Sequence, residues 1–438
     1  MSLMKYDMLS LTLHGLALLA YNTAAMEMTS KSNLGMLARA VLLLAGAWPL
    51  AAQQSSCPQP QIAASANQVE SARNALLELP IGNGAETDVS PRGQEAIATM
   101  KDRLADFIDA YMRCAPPRPD AAKVKADLSA LAHAYQLPQG VTRNSDLPED
   151  FGKYGFELWF DAKAVPEDRL LSVTATFYIE CGGDTVLLIY APKGGSWEQV
   201  LRWQGRPYME VSGAFWAFDY GISPPDESGD WYAVTKSISP WCSSTWSSIH
   251  YAVLRPGAVP PKPAVLLAAS DSIWWGNDDT GKLVVNRADF DLRFHAESID
   301  PAVHNRTWIR HFAVSGNVVR RVRPVAMSVG DFVDEWIVSP WSEASAWSAA
   351  GSAGLLKESH ERLAALQHST TGDFFSFDAI RQCSDSPNHW QVELSYGNPE
   401  QQEFFFHVIG RPDYVLSRIA DKADPHCNGP NELYQSGE

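Results

Sequence analysis

An aromatic residue followed by alanine recurs at a fixed interval: Tyr190-Ala191, Tyr251-Ala252 and Phe312-Ala313 stand 61 residues apart. Each pair lies late in an apolar run and is followed by a glycine, Gly194, Gly257 or Gly316. A further apolar run follows each glycine, at 197–203, 264–267 and 318–322, and another precedes each aromatic, at 174–179, 231–238 and 290–294. A fourth copy is visible at 392–396, 404–408, Gly410 and 414–419, with Phe406 placed 94 residues after Phe312. The excess over one period matches an insertion of helical character: Ser339-Pro340 opens one stretch, and Leu355, Leu356, Leu363 and Leu366 line another. A β unit repeated at fixed period must bury its face on the next unit, because it has no other core. The pattern therefore predicts a mainly β chain of repeated three- or four-stranded antiparallel meanders, arranged as a β-propeller or a closed meander. Extra strands are expected near 214–219 and 283–286. The rival reading is two unrelated β domains divided at the insertion, the second a small α+β unit from Phe374 onward.

Ahead of the repeats the periodicity is helical. Ile97, Met100, Leu104, Phe107, Ile108 and Tyr111 keep a three-to-four spacing behind Ser90-Pro91, a good N-cap and first helical residue. Asp120 is placed to cap a second helix with Val124, Leu128, Leu131 and Tyr135 on its apolar face, and an earlier helix is expected over 68–79. The expected organisation is a leader at 1–52, a helical segment at 53–150, three meanders at 151–338, a helical insertion at 339–370 and a fourth meander at 371–438.

Residues 36–52 carry the parts of a secretory signal: Lys31 and Arg39 ahead of an apolar run at 40–47, then Leu50-Ala51-Ala52. That run and the one at 9–25 fall short of a membrane span, so no span is expected in the mature chain, and translation is expected to start at Met28 or Met36. An N-terminal anchor is the rival reading. All six cysteines, Cys57, Cys114, Cys181, Cys242, Cys383 and Cys427, lie beyond the cleavage point. An even count in an exported chain favours disulfides, and pairing of neighbours (57–114, 181–242, 383–427) gives one bridge per region. Cys181 and Cys242 each precede their repeat aromatic by nine residues, which places them at equivalent positions. No Cys-x-x-Cys and no zinc-type spacing of Cys and His is present, so no cofactor or metal is expected.

A net charge of −16 from 35 basic and 51 acidic side chains argues against nucleic acid, whose phosphates need clustered Lys and Arg. Candidates for chemistry are few. His250 and His311 share a register with Ile189 in the repeat strands, and they are the candidate metal ligands if a third ligand joins them. Loop carboxylates Asp219, Asp230, Asp334 and Glu335 are the candidate acid/base groups of a glycosidase, with Trp216, Trp231, Trp241, Trp246, Trp274, Trp275 and Trp336 available to stack sugars. Carboxylates in turns are ordinarily solvated and Trp in β repeats is ordinarily core. There is no G-x-S-x-G, H-E-x-x-H, Walker A or dinucleotide fingerprint. The sequence thus favours an exported, periplasmic or extracellular β-repeat protein that binds a protein or glycan, with an envelope hydrolase as the competing class.

Overall fold

The computed structural model describes residues 59–79, 90–116, 120–137, 154–165, 170–179, 182–205, 217–238, 246–274, 281–303, 306–322, 326–369, 373–397, 402–410 and 413–434. The expected leader, Cys57, Cys181, Cys242, Trp216, Trp241 and Trp275 lie outside the described residues. No described helix is long and apolar enough to cross a membrane.

The described residues begin with three helices: α1 (Gln59–Leu77), α2 (Pro91–Met112) and α3 (Ala121–Ala134). Ser90 caps α2 by accepting from the Gly93 amide at 3.2 Å, and Asp120 caps α3 from the Ala122 amide at 3.1 Å. The whole α2 stripe is buried, and it packs on the first sheet through Phe160, Phe177, Leu188 and Tyr190. Helix α1 begins nine residues earlier than the periodicity suggests, because Ile62 is the one large apolar side chain that its first turns bury, beside the small Ser65 and Ala66. A fully buried ion pair, Lys101 Nζ to Asp184 Oδ2 at 2.9 Å, joins α2 to that sheet, and Lys101 also donates to the Gly205 carbonyl at 2.7 Å.

Among the described residues sixteen strands form four antiparallel sheets of four, each in simple chain order. The first holds β1 (Leu158–Val165), β2 (Leu170–Ile179), β3 (Gly182–Lys193) and β4 (Ser196–Gln204). The second holds β5 (Asp219–Ile222), β6 (Ala233–Ile238), β7 (Trp246–Pro256) and β8 (Pro263–Trp274). The third holds β9 (Lys282–Val285), β10 (Asp289–Ala296), β11 (Arg306–Ser315) and β12 (Val318–Arg321). The fourth holds β13 (Phe375–Gln382), β14 (His389–Tyr396), β15 (Gln402–Ile409) and β16 (Val415–Ala420). Tyr190, Tyr251, Phe312 and Phe406 each fall in the third strand of their sheet. Gly194 (φ 59°), Gly316 (φ 55°) and Gly410 (φ 90°) take the left-handed turn that leads into the fourth strand, a conformation a Cβ resists.

Side chains alternate across each strand, so one sheet can serve two cores. In β3, Val186, Leu188 and Tyr190 face the helices, whereas Leu187 and Ile189 join Ala233 and Leu254 of the second sheet. The second sheet turns its other face, with Ile249, Tyr251 and Val253, onto Phe290, Leu292 and Phe312 of the third. Tyr251 and Phe312 meet with ring centroids 6.0 Å apart. Equivalent positions of two repeats are therefore in contact, as in a sandwich; blades of a propeller pack one face on the opposite face of the next. No closed propeller or barrel forms among the described residues, and helices cover one face of the first sheet and one face of the fourth instead.

The helical insertion starts at α4 (Val329–Val338), ten residues ahead of the expected boundary, and continues through α5 (Trp341–Ala344) and α6 (Ala353–Gln367). Ser328 and Asp331 form a reciprocal capping box at the start of α4. On α6 the buried stripe is Leu356, His360 and Leu363, while Leu355 is 76% exposed. These helices cover Val392, Leu394, Phe404 and Phe406 of the fourth sheet. A tail ending at 434 lies along the same sheet, held by the Cys383–Cys427 disulfide.

Candidate functional site

The most heavily charged buried region lies where β11 meets α4. Alternation in β11 puts Arg306, Trp308, Arg310 and Phe312 on one face. Both guanidiniums lie over the Trp308 ring, 4.1 Å (Arg306) and 4.2 Å (Arg310) from its centroid. Helix α4 presents consecutive carboxylates to them. Asp334 Oδ2 lies 3.1 Å from Arg306 Nε and accepts from Ser298 Oγ at 2.6 Å. Glu335 Oε1 accepts from Arg310 and pairs with Arg321. Asp271 of β8 completes the group by accepting from Arg310 Nη2 at 2.6 Å and from the Tyr251 hydroxyl at 2.9 Å. Arg321 reaches Glu343 at 2.7 Å and lies over Trp347.

One end of this seam opens into a cleft of about 510 Å³ between the third sheet, α4 and the tail. Its floor is Arg306 and Asp334, and its walls include Phe377, Tyr414, Met327 and Leu433. Arg306 Nη1 donates to the Asp331 carbonyl, but Arg306 Nη2 and Asp334 Oδ1 are buried without a hydrogen-bond partner among the described residues. Two such atoms in one place are costly in a folded protein. Burial pushes the Asp334 carboxyl up from the usual carboxylate range against the pull of Arg306, and Asp331, one turn earlier, is raised for the same reason. Arg306 is lowered by the same desolvation, and Arg321 falls to about 10 through burial and then the charge of Arg310. Arg306 and Asp334 thus form a desolvated pair that is poised for hydrogen bonding.

The other candidates are dispersed. Asp219 caps its own backbone by accepting from Tyr220 N at 2.8 Å and lines a separate cavity of about 150 Å³ with Asp161 and Lys163. Asp230 sits in an exposed turn 3.5 Å from Arg255. Glu335, 2% exposed and enclosed by two arginines, has no open side for a substrate. Among the four carboxylates only Asp334 lines the large cleft, so the structure does not pair it there with Asp219, Asp230 or Glu335. His250 lines a cavity of about 370 Å³ with Trp203, Thr235 and Ser270. His311 pairs with Asp291 at 2.5 Å. Because the second and third sheets meet through the Tyr251 and Phe312 faces, His250 and His311 point to opposite outer faces, and the shared register separates them.

Sequence reasoning passed over the cationic half of the seam. Its signal was present in Arg306-x-Trp308-x-Arg310-x-Phe312, the period of a strand with one charged-aromatic face. It also passed over His389 and His407, which stand beside Cys383 and Cys427 at one end of the fourth sheet. The four are 6, 18 and 20 residues apart in the chain, outside any zinc-type spacing, because separate strands and the tail supply them. Burial, then the charges of Arg418 and His389, push His407 down to about 4. Compared by sequence with known protein families and with curated proteins, the chain matches none.

Proposed function

We propose that the chain is an exported, disulfide-bonded binding protein that takes its ligand in the Arg306–Asp334 cleft. The observation that carries this reading is the cleft floor: a buried donor, Arg306 Nη2, and a buried acceptor, Asp334 Oδ1, each without a partner among the described residues. One amide satisfies both, its carbonyl accepting from the guanidinium and its N–H donating to the carboxylate. The apolar walls at Phe377, Tyr414 and Met327 suit a hydrophobic side chain beside that amide, and Asp331 and Glu432 on the lining favour a basic neighbour. An extended polypeptide segment of apolar-basic composition fits this description better than a glycan, which lacks the apolar group. Export is supported by the Cys383–Cys427 disulfide and by the even cysteine count.

The test is a peptide array probed with the full chain, followed by titration of the best peptide. Apolar-basic peptides are expected to bind. Arg306→Met is expected to lower affinity tenfold or more, about 1.4 kcal/mol. Met327→Ser, at an exposed position on the wall, is expected to weaken binding without disturbing the buried pair. Preference for glycans over every peptide contradicts the reading.

A hydrolase remains the second reading on one observation. Asp331 and Asp334 line the same cleft one turn apart, both raised by burial as a general acid requires. Turnover of a peptide or glycan that Asp334→Asn abolishes would favour it.

A further inference from the structure

The fourth sheet gathers four metal-binding side chains that the cleft does not use. His389 opens β14 and His407 lies in β15, on the strand face opposite to Trp390, Val392, Phe406 and Val408, which pack under α4. Cys383 follows β13 directly, and Cys427 is brought over the same end of the sheet by the tail. That tail is fixed by the backbone: Ser384 N donates to the His426 carbonyl at 2.8 Å and Gly429 N to the Gln382 carbonyl at 3.1 Å. One ligand atom from each of the four residues lies within 4.8 Å of the others. The two ring nitrogens, His389 Nε2 and His407 Nδ1, are 3.1 Å apart.

These distances suit a tetrahedral ion. With metal–nitrogen bonds of about 2.0–2.1 Å and metal–sulfur bonds of about 2.3 Å, the two nitrogens stand about 3.3 Å apart and the two sulfurs about 3.8 Å. The nitrogens are already at that separation. The sulfurs reach it once the bond between them is broken. His389 turns its other nitrogen, Nδ1, to Asp385 at 3.2 Å, the carboxylate contact that fixes the tautomer of a metal-bound histidine. His407 is fully buried, and its Nε2 has no hydrogen-bond partner among the described residues. His407 Nδ1 faces only the second imidazole, and this is the nitrogen that an ion between the two rings would take.

We infer that Cys383, His389, His407 and Cys427 form a Cys₂His₂ site for Zn²⁺ that the disulfide closes and reduction opens. A small-molecule or protein dithiol supplies the two electrons. Its sulfurs become a disulfide, the Cys383–Cys427 S–S bond breaks, and each cysteine sulfur gains a proton. Zn²⁺ then displaces both thiol protons to water and bonds to the two thiolates, His389 Nε2 and His407 Nδ1. The imidazoles stay neutral, with the His407 proton moved to Nε2. Oxidation reverses the sequence: a small-molecule or protein disulfide takes two electrons and two protons to become a dithiol, the two thiolates form the S–S bond, and the ion leaves with only two ligands behind it. The site thereby couples the redox state of the compartment to the anchoring of the tail.

The experiment uses the full chain, once as isolated and once after reduction with a dithiol and its removal under anaerobic conditions. Zn²⁺ binding is measured by calorimetry and by metal analysis after gel filtration. Co²⁺ substitution serves as the spectroscopic probe, since thiolate–cobalt charge-transfer bands report sulfur ligation. One tightly held Zn²⁺ per reduced chain and none per oxidised chain are expected. His389→Gln, at a half-buried position, and the double variant Cys383→Ser with Cys427→Ser are expected to lose Zn²⁺ and the cobalt charge-transfer bands. Asp385→Asn, which leaves all four ligands and the fold untouched, is expected to weaken Zn²⁺ by about 10–100-fold. Equal Zn²⁺ binding by oxidised and reduced protein, no binding by the reduced protein, or full binding by folded His389→Gln overturns the inference.

Discussion

Replacing Glu335 with Gln tests whether the β11–α4 seam is the structural joint described above. Gln keeps the shape and one acceptor oxygen but removes the charge that faces Arg310 and Arg321, whose side chains are each 8% exposed against 2% for Glu335. Removing one partner of a buried ion pair costs about 3–5 kcal/mol, because the remaining charge stays out of water. Here Arg310 keeps Asp271 at 2.6 Å and Arg321 keeps Glu343 at 2.7 Å, so neither guanidinium is left alone. The lower end, about 3 kcal/mol, is therefore expected. The seam lies in one compact unit, Gln53–Glu438, whose unfolding entropy at about 2.1 cal/mol/K per residue is about 0.8 kcal/mol/K, so Glu335→Gln is expected to lower Tm by about 4 °C. Thermal unfolding followed by tryptophan fluorescence reads this directly, since Trp308, Trp336 and Trp347 all lie in or beside the seam. A shift below about 1 °C refutes the reasoning, because it is the size expected of a solvent-exposed pair.

Further predictions rest on other contacts. Lys101→Met strands the Asp184 carboxylate in the core and is expected to cost about 3–5 kcal/mol in urea unfolding, with Lys101→Met/Asp184→Leu recovering most of it. His360 is buried against Trp336, and desolvation lowers its pKa from the ordinary histidine value. Its neutral form is therefore the one folding favours, and the stability present above the unfolded histidine pKa of about 6.5 is lost as pH falls toward the folded value. A Tm–pH profile is expected to slope down more steeply below neutrality for the natural chain than for His360→Gln. Ser328→Ala breaks the capping box of α4 and is expected to cost about 1 kcal/mol by the same unfolding assay.

The repeat was legible because it is written in a few large residues at strict intervals. Tyr190, Tyr251, Phe312 and Phe406 pinned the third strand of every sheet, and the runs around them located the second and fourth. The α2 stripe and its Ser90 cap were legible for the same reason: short-range periodicity suffices to place one helix. What the repeat could not convey was which face of a sheet meets which. Tyr251 packing on Phe312 is a long-range choice, and it decides both the sandwich-like contact and the separation of His250 from His311. Helix α4 was hidden differently. Its Asp334 and Glu335 resemble surface charges until the arginines that bury them, 25 to 28 residues away in β11, are known. The Cys/His group was obscured because a meander gathers ligands from distant strands, so no local spacing announces it.

Hydrogen–deuterium exchange of the full chain, with and without the tightest peptide from the array, tests the binding reading most directly. Protection is expected in the segments that contribute to the cleft lining, 298–303 and 327–334, and at 432–433 in the tail, with little change across the first sheet. Protection centred on the first or second sheet, with the α4 amides unchanged, contradicts a ligand site between Arg306 and Asp334.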